Sequence, residues 1–144
     1  MTSRVIVLHG RKVVGGVAEG EALVTRQTIS PWGGLDPMTG TIIETRHDLR
    51  GQSFKNKVFV FPGAKGSSGA STRFHIARLA GAAPRAMIFT EMTTKMALAA
   101  VVSHAPTVTD IDGDPFEVIA TGDWVRVDAD RGIVEVVKAD APAR

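Results

Sequence analysis

The chain has 144 residues, which suits one domain, and 44% hydrophobic against 22% charged residues is typical of a soluble globular protein. It contains no cysteine, which excludes disulfides and any metal cluster that cysteines of this chain alone would hold. The net charge of +2 is spread without a basic block, so we expect no nucleic-acid partner. No apolar run has the length of a membrane span, and residues 5–8 are too few for a secretory signal, so we expect a cytoplasmic protein without a membrane partner.

Short strands separated by glycine-rich turns are predicted for the first third of the chain. Residues 5–8 form an apolar run typical of a strand, and residues 11–25 read as two short strands joined through tight turns. Residues 29–40 are rich in proline, glycine and polar side chains, which predicts a loop, with Trp32 beside two glycines. A further strand is predicted for residues 41–45.

A strand, a helix and a second strand follow one another in the middle of the chain. Residues 57–61 are apolar, residues 72–80 have the apolar spacing of one helix face, and residues 86–89 are apolar again. Gly81 stands where helices commonly end. A connection of this length is a βαβ crossover, so we expect the two strands to be parallel.

The last third predicts a helix at residues 93–102, a strand at 106–108, and a hairpin of strands 124–128 and 133–137. The acidic segment 110–115 resembles a calcium loop only superficially, because Ile119 stands where an EF-hand needs its glutamate. We therefore interpret that segment as a turn and expect no metal ligands in it.

These elements amount to six to eight short strands and two main helices around a central βαβ unit. The early and late strands are expected to be antiparallel. The sequence thus predicts a single α/β domain over residues 1–144, β-rich and sandwich-like or barrel-like, with its core at about 5–137 and a tail at 138–144.

The loop between the strand 57–61 and the helix carries the most distinctive side chains, namely Lys65, Gly66, Ser67 and Ser68. Backbone amides at such a strand-to-helix turn favour a carboxylate or phosphate, and they ease the ionisation of a serine hydroxyl. The order of residues does not match a phosphate-binding P-loop, because the lysine precedes the glycine. The simpler interpretation is a glycine-rich turn with Ser67 as helix N-cap, which stabilises a helix by about 1 kcal/mol.

Five motifs follow one another along the chain: GGVAEGEALV at 15–24, WGGLDPMTG at 32–40, RHDLRG at 46–51, KGSS at 65–68 and TGD at 121–123. Together and in this order they resemble the small subunit of the aconitase X family over roughly residues 10 to 137. The resemblance implies a swivelling β/β/α domain, like the mobile fourth domain of aconitase, that caps a large subunit.

Members of that family are hydro-lyases, so the resemblance implies a subunit of a dehydratase that removes water from a small hydroxy acid. The alanine-rich composition favours a bacterial source and cis-3-hydroxy-L-proline as the substrate, and the alternative is the small subunit of a phosphomevalonate dehydratase. The resemblance implies no cofactor on this chain and an iron or iron–sulfur centre on a large catalytic subunit. The two subunits would form a heterodimer or a higher assembly, and we expect the isolated chain to be inactive.

The resemblance assigns Ser67 as the catalytic base, with Lys65, Gly66 and Ser68 as substrate-binding residues. In aconitase the serine pair is followed by an arginine, whereas Gly69 stands there in this chain. The contact to a substrate carboxylate is then left to Lys65, to Arg73 or to the partner chain. Residues expected at the subunit interface or just behind the substrate contacts are Trp32, Gly33, Gly34, Asp36, Arg46 and His47.

Two other functions fit parts of the sequence. Swivelling domains of similar architecture carry a phosphohistidine in a Thr-x-His sequence, which Thr45 and His47 match, and His104 is a weaker candidate. Neutral histidine is nucleophilic near neutral pH, which suits a phosphocarrier. Alternatively, the loop around Trp32 is the contact surface of an interaction module, because exposed tryptophan is a common interface anchor.

Overall fold

The computed structural model describes residues 3–65 and 69–139, and in that part of the chain eight strands form one curled sheet. A separate two-stranded hairpin lies in the loop between the third and sixth strands. The strands are β1 (Ser3–His9), β2 (Arg11–Val14), β3 (Val17–Val24), β4 (Leu35–Asp36), β5 (Thr41–Ile42), β6 (Val58–Phe61), β7 (Ala86–Phe89), β8 (Thr107–Thr109), β9 (Trp124–Asp128) and β10 (Ile133–Ala139).

The large sheet has the order β1-β10-β9-β3-β6-β7-β8-β2. Its first four strands pair antiparallel, β3, β6, β7 and β8 pair parallel, and β2 closes the edge antiparallel to β8. The predicted parallel βαβ unit and the antiparallel pairing of early and late strands are therefore confirmed. The α/β fold class with a β-rich sheet and two main helices is also confirmed.

Strand β6 is buried on both faces, and its side chains divide between two hydrophobic cores. Phe59 and Phe61 face the helices, where Phe59 stacks on Phe61 and Phe61 stacks on Phe74. Val58 and Val60 face the antiparallel half of the sheet. Strand β7 alternates in the same way. A continuous apolar run is what a strand buried on both faces requires, which is why residues 58–61 lack the polar alternation of an exposed strand.

The helices are α1 (Pro31–Gly34), α2 (Ala70–Leu79), α3 (Thr94–Ser103) and α4 (Pro115–Val118). Both long helices, α2 and α3, bury their small and apolar residues in the core that contains Phe59. Thr93 caps α3 by accepting a hydrogen bond from the Met96 N–H, and Gly81 follows α2 with the positive φ expected of a helix end. Both long helices are ten residues, and no helix in the described residues is long and apolar enough to cross a bilayer.

The structure corrects three details of the predicted elements. The strand expected at 41–45 ends at Ile42, because the next residues turn back and the His47 N–H bonds the Glu44 carbonyl. Lys138 is not in a tail, since β10 continues to Ala139 and the Lys138 ammonium donates to Asp123 at 2.7 Å. The one-turn helices α1 and α4, each with a proline in its first turn, were not predicted.

The acidic segment at 110–115 bends without regular structure up to Asp114, as expected of a turn, and Pro115 begins α4. Asp114 caps α4 by accepting from the Phe116 N–H at 2.9 Å, and Asp112 accepts from the His9 N–H at 2.7 Å. These carboxylates are therefore engaged with backbone amides. In the part of the chain that the structure describes, no group of three or more His, Asp or Glu side chains is placed to hold a metal ion.

Candidate functional site

Three segments that are distant in sequence meet at one open pocket of about 510 Å³. The wall contains Ser30, Trp32, Gly33 and Gly34 from the segment around α1. Residues 44–46 and Lys65 complete the lining. The resemblance named Trp32, Gly33, Gly34, Arg46 and Lys65 as site residues, and the tertiary structure brings all of these together.

Backbone pairing holds the segment around α1 beside the loop that follows β6. The Ile29 N–H bonds the Gly63 carbonyl at 3.1 Å, and the Lys65 N–H bonds the Ile29 carbonyl at 2.9 Å. This short parallel pairing extends the sheet past the carboxyl end of β6, where β3 and β6 are also parallel neighbours. The pocket thus lies at the carboxyl end of parallel strands, the usual position of ligand sites in α/β sheets.

Glu44 ties the pocket walls together, and the sequence analysis did not identify it. Its Oε2 accepts a hydrogen bond from the Lys65 ammonium, and its Oε1 accepts from the Ser30 N–H at 3.1 Å. Partial burial alone would raise the pKa of Glu44, but the hydrogen bond and positive charge of Lys65, with the Ser30 amide, hold it below its ordinary value. Glu44 is therefore an anion that orients Lys65.

Trp32 forms the outer wall of the pocket and is 57% exposed. The guanidinium carbon of Arg73, on the first turn of α2, lies 4.2 Å from the centre of the indole ring. Gly69 lies against the edge of the same ring, so closely that a Cβ there would overlap the indole Nε1. Gly69 also has φ of +105°, a conformation that favours glycine. Trp32 is thus packed between the start of α2 and solvent.

Three of the predicted site residues, Gly66, Ser67 and Ser68, lie outside the described residues. The described residues on either side of them are Lys65, which lines the pocket, and Gly69, which contacts Trp32. The roles of Ser67 as base and of Gly66 and Ser68 in substrate binding stay predictions.

His47 lies behind the pocket and does not line it. Its side chain is 1% exposed, its Nδ1 accepts from the Leu49 N–H at 3.0 Å, and its Nε2 donates to the Thr28 carbonyl at 3.1 Å. Asp48 is also 3.1 Å from Nδ1, which is an ion pair only when the ring is protonated. A ring with both nitrogens engaged and almost no solvent access is a structural group. This geometry argues against a phosphohistidine at His47.

Asp36 ends β4, begins the turn that follows it, and does not line the pocket. Its side chain accepts from the Met38 N–H at 3.0 Å and its carbonyl accepts from the Gly40 N–H at 2.8 Å. Glu44, Thr45 and Ser30 are pocket residues that the resemblance did not name. The only sequence clue to Glu44 is its position two residues before Arg46, because its partner Lys65 is 21 residues away.

Comparison with known families decides the assignment. The model of the aconitase X swivel domain matches residues 7–136 of the chain. The chain belongs to the aconitase X swivel-domain family. The matched range includes every described pocket residue, so the pocket is a feature of the swivel domain.

Curated relatives of this aconitase X swivel domain are dehydratase small subunits. The phosphomevalonate dehydratase small subunit of Thermococcus kodakarensis is 44% identical over 131 residues, which is 91% of this chain and 96% of the relative. That of Methanosarcina acetivorans is 41% identical and covers 92% of each chain. The crystal structure of Thermococcus kodakaraensis aconitase X in its holo form has a TM-score of 0.84 at 43% identity, covering 91% and 98% of the two chains. The expected family, fold and class of dehydratase subunit are confirmed.

Proposed function

We propose that this chain is the small subunit of a phosphomevalonate dehydratase and that its pocket becomes part of an active site shared with a large subunit. Curated relatives with that name are 40–44% identical over more than nine-tenths of this chain. Of the two substrates considered from the sequence, these relatives favour phosphomevalonate over cis-3-hydroxy-L-proline. The observation that carries the proposal is the convergence at one pocket of the Trp32 segment, residues 44–46 and Lys65, which directly precedes the serine segment in the sequence.

The charges around the pocket support an anionic substrate. Arg46 and Lys65 line it with Glu44 as the one carboxylate among the described lining residues, and Arg73 adds a cation behind Trp32. Phosphomevalonate is a 3-hydroxy acid that carries both a carboxylate and a phosphate. Hydroxyproline is a zwitterion without net charge near neutral pH. An excess of cations raises the local concentration of the first substrate more than that of the second.

The proposed reaction removes a proton from the carbon next to the carboxylate and a hydroxyl group from the following carbon. A carbon–carbon double bond forms and one water molecule leaves, with no change of oxidation state overall. Ser67 would take the proton, which requires an alkoxide or strong hydrogen bonding at its hydroxyl, and Ser68 and Gly66 would contact the substrate. Lys65, two residues earlier, supplies positive charge that favours ionisation of a neighbouring hydroxyl.

The partner in this proposal is a large catalytic subunit, and Trp32 with its neighbouring loop is the surface that would meet it. The described residues offer no metal-ligand cluster, so the proposal assigns the iron or iron–sulfur centre of the enzyme to the large subunit. The small subunit contributes the base and the cationic pocket. The complete site would exist only in the complex.

The proposal is tested by co-expressing the chain with its cognate large subunit and measuring water loss from 5-phosphomevalonate and from cis-3-hydroxy-L-proline. We expect turnover of 5-phosphomevalonate and none by either subunit alone. Ser67→Ala should lower kcat by about 10²- to 10⁴-fold, the range for loss of a general base, while the complex still forms. Ser68→Ala should mainly raise KM.

Ser71→Ala is the matched control, because Ser71 lies in α2 two residues after Gly69 and does not line the pocket. It should leave kcat and KM unchanged. Exclusive turnover of cis-3-hydroxy-L-proline would overturn the proposed substrate but would support the proposed dehydratase activity. Full activity of Ser67→Ala would overturn the role of Ser67 as the base and leave the serine segment without a catalytic function.

A further inference from the structure

Arg73 is held in an unusual setting for a surface helix residue. Its guanidinium carbon lies 4.2 Å from the centre of the Trp32 ring, within the distance of a cation–π contact. The Arg73 N–H bonds the Gly69 carbonyl at 2.9 Å, so the side chain leaves the first turn of α2. One face of the guanidinium is therefore covered by an indole that lines the pocket.

One donor of this guanidinium is unused, because its Nε is buried and has no hydrogen-bond partner. The ion pairs found within residues 3–65 and 69–139 involve other arginines, on other surfaces, and not Arg73. Buried donors without a partner are rare in proteins and call for an explanation. Since no carboxylate among the described residues pairs with Arg73, its positive charge is available to an anionic ligand.

We propose that Arg73 is a substrate-binding residue that donates from the edge of its guanidinium to an anionic oxygen pair of the substrate, with Trp32 fixing the plane of the group. This inference rests on the proposed function, which supplies the anionic substrate. A planar guanidinium forms two parallel hydrogen bonds to a carboxylate or a phosphate, and stacking on an aromatic ring restricts its orientation at small entropic cost.

Phosphomevalonate carries a carboxylate and a phosphate, and either group offers the pair of anionic oxygens that a planar guanidinium binds. Mevalonate, which lacks the phosphate, distinguishes the two groups as ligands of Arg73.

The test measures substrate affinity and turnover of the complete two-subunit complex with Arg73→Gln and Arg73→Lys. Loss of a charge-assisted hydrogen-bond pair should weaken binding of 5-phosphomevalonate, and raise KM, by about 10- to 100-fold in Arg73→Gln. Arg73→Lys keeps the charge and loses the planar fork, so it should recover only part of that loss. Arg50→Gln, at an exposed arginine outside the pocket lining, is the control and should bind normally.

Two further measurements separate ligand binding from a structural role. Added guanidinium ion should restore activity to Arg73→Ala, because a free cation can occupy the vacated place against Trp32, whereas it would not repair a misfolded loop. Comparing mevalonate with 5-phosphomevalonate separates the two anionic groups. If Arg73 binds the carboxylate, the loss persists on mevalonate, and if it binds the phosphate, the loss disappears there.

Affinity for substrate within twofold of wild type in all three Arg73 variants, or a lower melting temperature with unchanged Kd and no guanidinium rescue, would overturn the inference. A wild-type complex that binds 5-phosphomevalonate but does not dehydrate it would overturn the proposed function alone. The role of Arg73 would then be tested by comparing the Kd of Arg73→Gln with that of wild type. A wild-type complex that does not bind 5-phosphomevalonate would overturn both.

Discussion

Two glycines with left-handed backbone lie at the two ends of α2, and they have different surroundings. Gly69 precedes the helix with φ of +105° and lies against Trp32, so that any side chain there would overlap the indole. Gly81 follows it with φ of +74° and has no atom within 4 Å of the place that a Cβ would take. Backbone strain acts at both positions, whereas the clash acts only at Gly69.

Gly69→Ala should therefore destabilise the protein more than Gly81→Ala. We expect about 1 kcal/mol for Gly81→Ala, from backbone strain alone, and at least about 2 kcal/mol for Gly69→Ala, where the indole must also move. The free energy of unfolding from urea titrations measures the difference. The tryptophan emission maximum should shift in Gly69→Ala alone, and an equal cost for both substitutions would contradict the close packing of Gly69 on Trp32.

Among the elements, the strand–helix–strand unit could be predicted from sequence because each part has its own pattern. Residues 58–61 and 86–89 are wholly apolar, and a helical spacing of apolar residues lies between them. The one-turn helix α4 could also have been found, since Asp114 before Pro115 is an N-cap followed by a proline at the first helical position. The strand expected at 41–45 was too long because the turn that ends it depends on contacts with the α1 segment, such as Ile43 N–H to the Gly34 carbonyl.

Glu44 connects the loop after β5 to Ser30 and to Lys65 after β6, and its lowered pKa makes this connection pH-dependent. A carboxylate whose pKa is lower in the folded protein stabilises the fold above its ordinary value of 4.5, and the stabilisation disappears as the pH falls through the folded pKa. Glu44→Gln keeps an acceptor for the Ser30 amide and removes the charge. It should cost roughly 0.5–1 kcal/mol at pH 7 and progressively less below pH 4.5.

The measurement is the urea midpoint of wild type and Glu44→Gln between pH 3 and pH 7, at low and high salt. Glu21→Gln is the matched control, because the Glu21–Lys57 pair has a similar distance of 2.6 Å but a carboxylate that is 52% exposed against 23% for Glu44. The control should lose less stability at pH 7 and respond more to salt. A difference between wild type and Glu44→Gln that grows on acidification would contradict the predicted direction.

At the scale of the whole molecule, the two hydrophobic cores share their central strands. Phe59 and Phe61 lie in one core and Val58 and Val60 in the other, all on β6. Neither core can lose its packing while the other keeps β6 and β7 in place. We therefore expect the described parts of the domain to unfold in one cooperative transition.

The chain contains two tryptophans, which lie in different regions: Trp32 at the pocket and Trp124 on β9 of the antiparallel half. In Trp32→Phe and Trp124→Phe backgrounds, fluorescence reports one region at a time. Phe59→Ala in the helix-side core should lower the free energy of unfolding by about 3–5 kcal/mol, and Ile88→Val in the other core by about 0.5–1.5 kcal/mol. For each variant, the unfolding midpoint should shift by the same amount whichever tryptophan reports it. Transitions that separate by probe would show independent cores.

The sequence by itself determined the family, the order and type of the main elements, and most of the pocket residues, because motifs and apolar periodicity are local properties of the chain. Only the tertiary structure assigned His47 to a buried structural role, Glu44 to the pocket lining, and Arg73 to the face of Trp32. Those assignments depend on which atoms face each other across tens of residues, such as Glu44 with Lys65 and Arg73 with Trp32. Such contacts arise when parallel strands bring their carboxyl ends together, and no local pattern encodes them.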